Sequence, residues 1–553
     1  MDILIVGAGP TGLALAAQLR WFGIRARIID RSLDRAHESR ALGVQARTLE
    51  LLQSIGLGDA LVARGNPSAR LMLHVNGQVV GEAELGAFGG TDTKYPFVLF
   101  VSQAETEQLL GDHLGSEGVT VERGVELVSF VPNVDGVDCV LRHSDGRSEN
   151  ARVRYLVGCD GAHSTVRKGA GIPFEGDAYL QDFLLGDVEA DASPDMSLVP
   201  NTLHPCVGRH GIAIFFPLGK PTTWRAIAMS GAAATAARTG VGTADRPLTS
   251  ELSLAELQTV VDGATGGGVR LRDPAWLAHF HLHHRQAAHY RSGSVFLAGD
   301  AGHIHSPVGA QGMNTGIQDA WNLGWKLALV VKGLATPRLL DSYEAERWPV
   351  GRTLLRYTDR SFSALVRSLS DNAAAWWLRR NVAAHVMPAV LTSRRLRSAG
   401  FRFISELGIR YRRSPAVAEA EPRLRAGPRA GDRFPDARLT LDGQTVRLQE
   451  AVVGPCLTLV LCGDGEPFDI ERLTHHSTSR NGLLRILRLG RRSEPGALVD
   501  ERGEALARLG VDHAAQYLVR PDGHVGFRCG GLAFDALESY LAEWYAPRQS
   551  DNH

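Results

Sequence analysis

The sequence predicts an α/β protein of several domains, and three stretches of the chain carry that prediction. The first residues form a short apolar strand, a glycine-rich turn and a helix, as in a parallel sheet covered by helices. Polar and apolar residues later alternate as in antiparallel strands, and a proline- and arginine-rich stretch precedes a second strand-rich unit. We predict a parallel-sheet domain at 1–175 and 285–412, an antiparallel-sheet domain at 176–284 to which 70–100 contributes, a linker at 413–430, and a C-terminal α/β domain at 431–545.

Length, charge and cysteine usage narrow the class of protein. A chain of 553 residues is too long for one hydrophobic core. Its 60 basic and 60 acidic residues give a net charge of zero, which provides no bulk attraction for nucleic acid or acidic membranes. Six cysteines lack Cys-x-x-Cys or metal-type spacing, and the strand at the start leaves no room for a signal peptide. We therefore expect a cytoplasmic protein with no metal, no nucleic-acid partner and no membrane partner.

The first motif is typical of a Rossmann-like dinucleotide site. The strand at 2–6 is followed by Gly7, Gly9 and Gly12, which open a helix, and a second apolar strand then ends at Asp30. Glycines permit the tight turn and the close approach of backbone to a pyrophosphate at the helix N-terminus. An acidic residue about 20 positions further on accepts hydrogen bonds from the adenosine ribose, which favours FAD or NAD over NADP.

Two further motifs distinguish between these nucleotides. Apolar strands end at Asp160–Gly161 and at Gly299–Asp300, and the second is followed by a glycine-rich loop and a helix that carries Asn314. A carboxylate at the end of a strand can bind cofactor hydroxyl groups, and glycines let backbone N–H groups approach a flat ring. A simple NAD dehydrogenase has no use for these additional elements. Together with the first motif, they indicate one extended flavin dinucleotide that is bound from both ends.

These three motifs resemble the fingerprints of the group A flavoprotein aromatic hydroxylases, the family of para-hydroxybenzoate hydroxylase and phenol hydroxylase. The resemblance extends over residues 1–400. The loop of the third motif departs from the family pattern only by exchanging small residues for other small residues. The matching segments are GAGPTG at 7–12, CDGAHSTVRK at 159–168 and AGDAGHIHSPVGAQGMNTGIQDAWNLGWKLA at 298–328.

The resemblance implies a role for each matching residue. The FAD pyrophosphate would lie against the first motif and Arg40, and the ribityl chain against Gln103 and Asp300. Pro307, Gly309 and Gly312 would frame the flavin C4a region, and no catalytic side chain is assigned. The cofactor-binding residues predicted in this way are Gly7, Gly9, Pro10, Thr11, Gly12, Asp30, Arg31, Arg40, Gln103, Asp160, Gly161, Asp300, Pro307, Gly312, Met313 and Asn314.

The resemblance also implies a reaction. The protein would be an FAD-dependent monooxygenase that uses NADPH or NADH as a transient electron donor and hydroxylates a phenolic or polycyclic aromatic substrate through a C4a-hydroperoxyflavin. The flavin supplies this chemistry, while the protein orients the substrate and excludes water. The C-terminal unit, with its 520–524 turn, resembles the thioredoxin-like domain of phenol hydroxylase and of hydroxylases that tailor polyketide antibiotics. The substrate would then be a bulky polyketide-type aromatic.

Some residues allow a structural interpretation beside a functional one. Phe215, Phe216, Trp224 and Met229 are candidates for walls of a substrate pocket, but a strand places half of such residues on its opposite face. The five histidines at 279–289 indicate a solvated strand face rather than a zinc site, because no cysteine or carboxylate joins them.

The C-terminal unit and the arginine-rich stretch before it also allow both a structural and a functional interpretation. Cys456 and Cys462 lack a Cys-x-x-Cys turn, so we expect a structural or oligomerisation module rather than a disulfide-active one. The arginine-rich stretch 377–413, with Trp376 and Trp377, favours a helix with a solvated basic face over a membrane contact.

Other functions stay open on the sequence alone. A Baeyer–Villiger oxygenase could use the same scaffold, and a non-catalytic flavoprotein could bind an aromatic ligand without turnover. A third alternative is an NAD-dependent dehydrogenase, which would be colourless when purified. The substrate, the ring position, the choice of NADH or NADPH, the identity of any general base and the assembly, including a homodimer, stay open as well.

Overall fold

The protein was analysed as a computed structural model. The structure describes residues 1–35, 42–67, 70–84, 92–194, 196–218, 222–230, 252–304, 311–368, 373–386, 393–463 and 482–545. Within these residues the strands form three large sheets and two small ones. None of the described helices is both long enough and apolar enough to cross a membrane.

The bounds of the elements are as follows. The strands are β1 (Ile3–Val6), β2 (Arg27–Asp30), β3 (Gly43–Val44), β4 (Arg70–Val75), β5 (Gln78–Glu84), β6 (Leu99–Phe100), β7 (Val121–Arg123), β8 (Val125–Asn133), β9 (Gly136–His143), β10 (Ser148–Val153), β11 (Tyr155–Gly158), β12 (Phe174–Ala192), β13 (Thr202–Val207), β14 (Gly211–Pro217), β15 (Trp224–Ser230), β16 (Val269–Ala287), β17 (Arg291–Ser292), β18 (Val295–Leu297), β19 (His303–Ile304), β20 (Ala418–Glu419), β21 (Arg438–Leu441), β22 (Gln444–Arg447), β23 (Leu457–Cys462), β24 (Leu484–Gly490), β25 (Leu498–Val499), β26 (Ala515–Val519) and β27 (Val525–Gly530). The α-helices are α1 (Pro10–Trp21), α2 (Ala46–Gln53), α3 (Gly58–Arg64), α4 (Gln103–Ser116), α5 (Thr165–Gly169), α6 (Leu254–Thr265), α7 (Gly312–Val331), α8 (Asp341–Ser368), α9 (Ala373–Asn381), α10 (Arg394–Ile404), α11 (Leu448–Val452), α12 (Glu504–Leu509) and α13 (Phe534–Trp544).

The first large sheet, with the order β17–β18–β11–β1–β2–β7, is parallel except between β17 and β18. β1 and β11 are buried along their whole length, which explains their continuous apolar sequences. α7 packs on the same core and is buried from Asn314 to Val330. Gln18 in α1 donates a hydrogen bond from Nε2 to the Trp321 carbonyl oxygen at 2.9 Å. The first motif and the helix of the third motif are therefore neighbours in the fold.

The second large sheet, with the order β19–β16–β12–β15–β14–β13–β4–β5, is antiparallel except between β13 and β4. α6 begins at a capping box formed by Ser253 and Glu256, and it covers one face of this sheet. β4 and β5 come from the 70–100 region, which we expected to contribute here. The boundaries of the domains themselves stay predictions.

The third large sheet, with the order β20–β27–β26–β23–β24–β25–β21–β22, forms the C-terminal unit. β26 and β27 form a hairpin around the 520–524 turn, and β23 is buried throughout. The 413–430 segment is bound to this sheet, because β20 pairs with β27 and Arg528 donates to the carbonyl oxygens of Ala426 and Pro428 at 3.0 and 2.9 Å. The stretch that we predicted as a linker thus contacts the sheet of the C-terminal unit, and its assignment as a linker stays a prediction.

A buried cluster of charged side chains joins the C-terminal unit to the rest of the protein. Glu346 in α8 accepts hydrogen bonds from both terminal nitrogens of Arg520 at 2.7 and 2.8 Å, and from Lys326 Nζ at 2.8 Å. Arg520 also pairs with the Asp522 carboxylate at 2.5 Å, and Arg47 donates to the Asp522 backbone carbonyl oxygen. All five side chains are buried, so each charge depends on its partners.

Burial and pairing act on the pKa values of this cluster in opposite directions. Burial lowers the pKa of the Lys326 ammonium to about 8, against the attraction of Glu346. Burial by itself would raise the pKa of Glu346, but the charges of Arg520 and Lys326 outweigh it and hold that pKa below its ordinary value. The Glu346 carboxylate is thus charged at neutral pH and compensates two buried cations.

We expect Glu346→Gln to destabilise the protein strongly, because it leaves Arg520 and Lys326 without their shared counter-charge. Removing one partner of a buried ion pair costs about 3–5 kcal/mol of unfolding free energy. The matched control is Arg338→Gln, which breaks the exposed Arg338–Glu543 pair and should cost less than about 1 kcal/mol. Urea-unfolding midpoints from circular dichroism compare the two variants, and equal midpoints would contradict this account of the cluster.

Two buried histidines lie on neighbouring strands of the second sheet. His74 Nε2 and His204 Nδ1 are 2.9 Å apart and share a hydrogen bond. Burial lowers the pKa of His74, and it lowers the pKa of His204 to about 4. Both imidazoles are therefore neutral in the folded protein at physiological pH.

We expect acid to destabilise the protein through this pair. An unfolded chain binds a proton at each histidine near pH 6.5, whereas folding suppresses protonation of His204 down to about pH 4. The contribution of His204 to the free energy of unfolding is therefore fully present above the unfolded pKa. Below that pKa the free energy of unfolding falls by up to about 1.4 kcal/mol per pH unit because of His204. Unfolding midpoints of the wild type and of His204→Gln should converge between pH 7 and pH 5, and parallel curves would refute the assignment.

Candidate active site

Close backbone contacts shape the first glycine-rich turn. Gly7 has a φ of +102°, and a Cβ atom there would overlap the carbonyl oxygen of Cys159 after β11. A Cβ atom at Gly12 would overlap the Gly7 carbonyl oxygen, whereas one at Gly9 meets nothing within 4 Å. The protein itself needs the first and third glycines, and the second borders open space. That space adjoins the N-terminus of α1, which has no side-chain cap, so the N–H groups there are open to an anion, and a pyrophosphate at this place stays a prediction.

Asp30 lies beside this turn at the end of β2. Its Oδ2 accepts a hydrogen bond from the Ala8 backbone N–H at 2.7 Å, and its Oδ1 accepts one from the Ser32 backbone N–H at 2.8 Å. The Arg123 guanidinium is 3.8 Å away, and Arg31 follows as an exposed residue. A carboxylate has about four lone-pair sites, so Asp30 keeps acceptor capacity for ribose hydroxyl groups.

The third motif meets the first one at Thr11. β18 runs into a tight turn, Gly299–Ala301, in which Gly299 has a φ of +63°. A Cβ atom at Gly299, or at Gly316 in α7, would overlap the Thr11 hydroxyl, so Thr11 fits between two glycines. Asp300 is exposed in the turn at the carboxyl edge of the first sheet. The structure thus brings together the two motifs that the sequence places almost 300 residues apart.

The beginning of α7 is bound to the ribbon that β3 and β6 form. The Asn314 side chain accepts a hydrogen bond from the Gln45 backbone N–H at 2.8 Å and donates one to the Gly43 carbonyl oxygen at 2.9 Å. Gly312 and Met313 precede it and are partly buried. Backbone N–H groups at a helix N-terminus carry partial positive charge, which suits them to a ligand edge that becomes negative.

Sequence analysis missed the buried group that holds the third motif in place. The Asp319 carboxylate accepts hydrogen bonds from the Gly299 backbone N–H at 3.0 Å, His303 Nε2 at 2.6 Å and Arg347 Nε at 2.7 Å. Burial by itself would raise the pKa of Asp319, but Arg347 and His303 hold that pKa below its ordinary value. Arg347 also donates to the Tyr411 hydroxyl at 2.9 Å. An aspartate among apolar positions of a buried helix was the signal that could have revealed this group.

The carboxylate of the second motif caps a helix. Asp160 Oδ1 accepts a hydrogen bond from the Ser164 hydroxyl at 2.5 Å, and Oδ2 accepts from the backbone N–H groups of Thr165 and Val166 at 2.7 and 3.1 Å. Burial raises the pKa of Asp160, and these hydrogen bonds oppose the shift. Asp160 therefore accepts hydrogen bonds from the first N–H groups of α5, and its contact with a nucleotide, like that of Gly161, stays a prediction.

The remaining cofactor predictions fall on other parts of the chain. Gln103 is the first residue of α4, and its Nε2 donates a hydrogen bond to Glu107 Oε1 at 2.8 Å. Arg40, Pro307 and Gly309 lie outside the described residues. The framing of the flavin C4a region by Pro307, Gly309 and the start of α7 therefore stays a prediction.

The pocket candidates divide between the two faces of the second sheet. Phe215 and Trp224 pack with α6 in the core on one face, and their assignment to a pocket wall stays a prediction. Phe216 and Met229 lie on the opposite face, because neighbouring positions of β14 and β15 alternate in direction. The Phe216 ring contacts Phe100 of the β3–β6 ribbon, with 6.3 Å between ring centroids. This second face is therefore turned towards the ribbon that holds the start of α7.

The histidine-rich strand is described in part, with the side chains before residue 280 and after residue 283. No group of three or more His, Cys, Asp or Glu side chains there could hold a metal ion. His289 Nδ1 instead lies 3.0 Å from Glu344 Oε1. Cys456 and Cys462 are free thiols, and burial raises the pKa of both.

Known proteins share this architecture over nearly the whole chain. A family model described as FAD binding domain matches residues 1–358. The chain is 36% identical to 6-methylpretetramide 4-monooxygenase of Streptomyces rimosus, over 95% of this chain and 90% of that protein. It is similar to the solved structure of OxyS anhydrotetracycline hydroxylase from Streptomyces rimosus, with a TM-score of 0.73, 30% identity and 99% of both chains covered. It is also similar to the flavin-dependent monooxygenase PieE in complex with FAD and substrate, with a TM-score of 0.80, 25% identity, and 98% of this chain and 99% of that chain covered.

These similarities and the geometry define the class of protein. The chain belongs to the FAD binding domain family, and within it to the FAD-dependent aromatic monooxygenases. The resemblance to the group A hydroxylases, the α/β fold class and FAD as the cofactor are thereby confirmed.

We expect Gly9→Ala to weaken FAD binding without disturbing the fold. The added methyl group points into the open space beside α1, whereas at Gly12 it overlaps the Gly7 carbonyl oxygen and should impair folding. The dissociation constant of FAD, from titration of the apoprotein followed by flavin fluorescence, should rise at least about tenfold, or about 1.4 kcal/mol. The melting temperature of the Gly9→Ala apoprotein should not change. An unaltered FAD affinity would place the pyrophosphate elsewhere.

Proposed function

We propose that this protein hydroxylates a polycyclic aromatic compound of polyketide type, with bound FAD, dioxygen, and NADPH or NADH as a transient electron donor. The observation that carries the proposal is similarity over the whole chain, C-terminal unit included, to proteins named for 6-methylpretetramide and anhydrotetracycline. The face of the second sheet that carries Phe216 and Met229 supports it, because aromatic and thioether side chains pack well against flat rings. A tailoring role in antibiotic biosynthesis follows from the same similarity.

The described residues support a position for FAD along the carboxyl edge of the first sheet. We propose that the pyrophosphate lies beside Gly9 and the N-terminus of α1, and that Asp300 binds the ribityl chain. Backbone atoms at the start of α7 would then face the ring. The further residues proposed to bind FAD are Gly7, Pro10, Thr11, Gly12, Asp30, Arg31, Arg40, Gln103, Asp160, Gly161, Pro307, Gly312, Met313 and Asn314.

Each part of the chain then has a defined task in the reaction. Bound FAD supplies the activation of dioxygen and the transfer of one oxygen atom. The backbone N–H groups at 312–314 would stabilise negative charge on a bound ring. Asp319 and Arg347 hold the Gly299–Ala301 turn, and with it Asp300, in position. The second sheet orients the aromatic substrate and excludes water from the reacting carbon.

The decisive experiment is reductant consumption by the FAD-loaded protein. We expect NADPH or NADH oxidation to rise sharply in the presence of a hydroxylated polycyclic aromatic, tested with phenol, 1-naphthol and 1,8-dihydroxyanthraquinone. Mass spectrometry should show a product that gains one atom of ¹⁸O from labelled dioxygen on a ring carbon. Insertion of ¹⁸O between a carbonyl and its neighbouring carbon would instead identify a Baeyer–Villiger oxygenase. A yellow protein that binds the aromatic without consuming reductant would contradict catalysis.

We further propose a cytoplasmic location and leave the homodimer as a prediction. The six cysteines are free thiols, as is usual in a reducing compartment.

A further inference from the structure

Four side chains form a row across one face of the second sheet. Asp187 in β12 lies opposite Trp276 in β16 on one side and opposite Arg225 in β15 on the other. Arg225 in turn lies opposite Phe216 in β14. Directly opposed residues of antiparallel strands project to the same side, so these four side chains share a face. We call this set, Trp276, Asp187, Arg225 and Phe216, the sheet row.

The sheet row lies on the face that α6 leaves uncovered. Leu184 and Val188, which flank Asp187 at odd offsets, pack in the core beneath α6, and so does Trp224 next to Arg225. Phe216, at the end of the row, contacts Phe100 in the ribbon that binds the start of α7. The sheet row therefore faces the side of the protein on which we place the flavin ring.

Arg225 is the unusual member of the row. Its Nε and Nη2 donate to the two carboxylate oxygens of Asp187 at 2.6 and 2.7 Å, and its side chain is 1% exposed. Its Nη1 is buried and has no hydrogen-bond partner within the described part of the chain. A buried donor without a partner destabilises the folded protein. Such a group is uncommon in native proteins, and a bound ligand can supply the missing acceptor.

We propose that Arg225 determines substrate specificity by donating a hydrogen bond from Nη1 to a keto, enol or phenol oxygen of the aromatic substrate, while Phe216 and Trp276 pack against its rings. This inference rests on the proposed function. The bidentate bond to Asp187 fixes the plane of the guanidinium and balances its charge, so the pair suits a neutral oxygen acceptor better than a full anion. The Trp276 ring centroid lies 5.8 Å from the Arg225 guanidinium carbon, so ring and donor are close enough to act on one ligand.

Equilibrium binding tests the proposal without requiring turnover. FAD-loaded wild type and Arg225→Lys are titrated with 1,8-dihydroxyanthraquinone and with anthracene, which has a similar ring system without oxygen, and binding is followed by the flavin difference spectrum. Lysine keeps the charge next to Asp187 but lacks the Nη1 donor. We expect the variant to bind 1,8-dihydroxyanthraquinone at least tenfold more weakly and anthracene within twofold of the wild type.

Matched controls distinguish a hydrogen bond from Arg225 to the substrate from a general effect on the sheet and from loss of ring packing. Arg272→Lys alters another aspartate-paired arginine of the same sheet, whose side chain is 48% exposed, and it should change neither affinity. Phe216→Leu should weaken both probes alike, because it removes ring packing and no donor. The proposal would be overturned if Arg225→Lys lowered the affinity for both probes equally or for neither. It would also be overturned if the variant lost FAD while keeping the wild-type preference between the probes. Selective weakening without any NADPH consumption would uphold it while contradicting the proposed function.

Discussion

The arrangement of the parts of this protein depends on the buried ion pairs of the Glu346 carboxylate. It compensates Lys326 from α7 and Arg520 from the C-terminal hairpin, so one buried charge connects the helix of the third motif to the last sheet. The next residue, Arg347, bonds to Asp319, which holds the Gly299 turn. Two successive residues of α8 thus link the C-terminal unit to the Gly299–Ala301 turn. Because a buried charge without its partner is costly, these elements have little freedom to move apart.

A steric constraint acts at the same place. Thr11 fits between Gly299 and Gly316, where any larger residue than glycine would overlap its hydroxyl. The chain then passes from the Gly299 turn into β19, which pairs with β16 of the second sheet. The third motif is consequently in contact with the first glycine-rich turn, with α7 and with the sheet proposed to bind substrate.

Some of the site could be predicted from the sequence, and some could not, for identifiable reasons. Glycine spacing and strand-end carboxylates are local patterns, so the three motifs, the fold class and the cofactor could be predicted. The pocket residues could not be sorted, because alternation says that Phe215 and Phe216 point apart but not which of them α6 covers. The 520–524 turn was linked to the substrate only by resemblance. The structure places Arg520 in the charged cluster instead, because partners from distant segments are invisible in a single sequence.

The sequence by itself determined where strands, turns and helices begin and which nucleotide the turns suit. These properties follow from backbone sterics and short-range periodicity, which act over a few residues. Only the tertiary structure decided that Asp160 accepts hydrogen bonds from the start of α5, that Ala418 and Glu419 pair with the last sheet, and that Asp319 and Glu346 are buried. Each of those outcomes depends on which distant group satisfies a buried charge or carbonyl, and that choice is made when the chain packs.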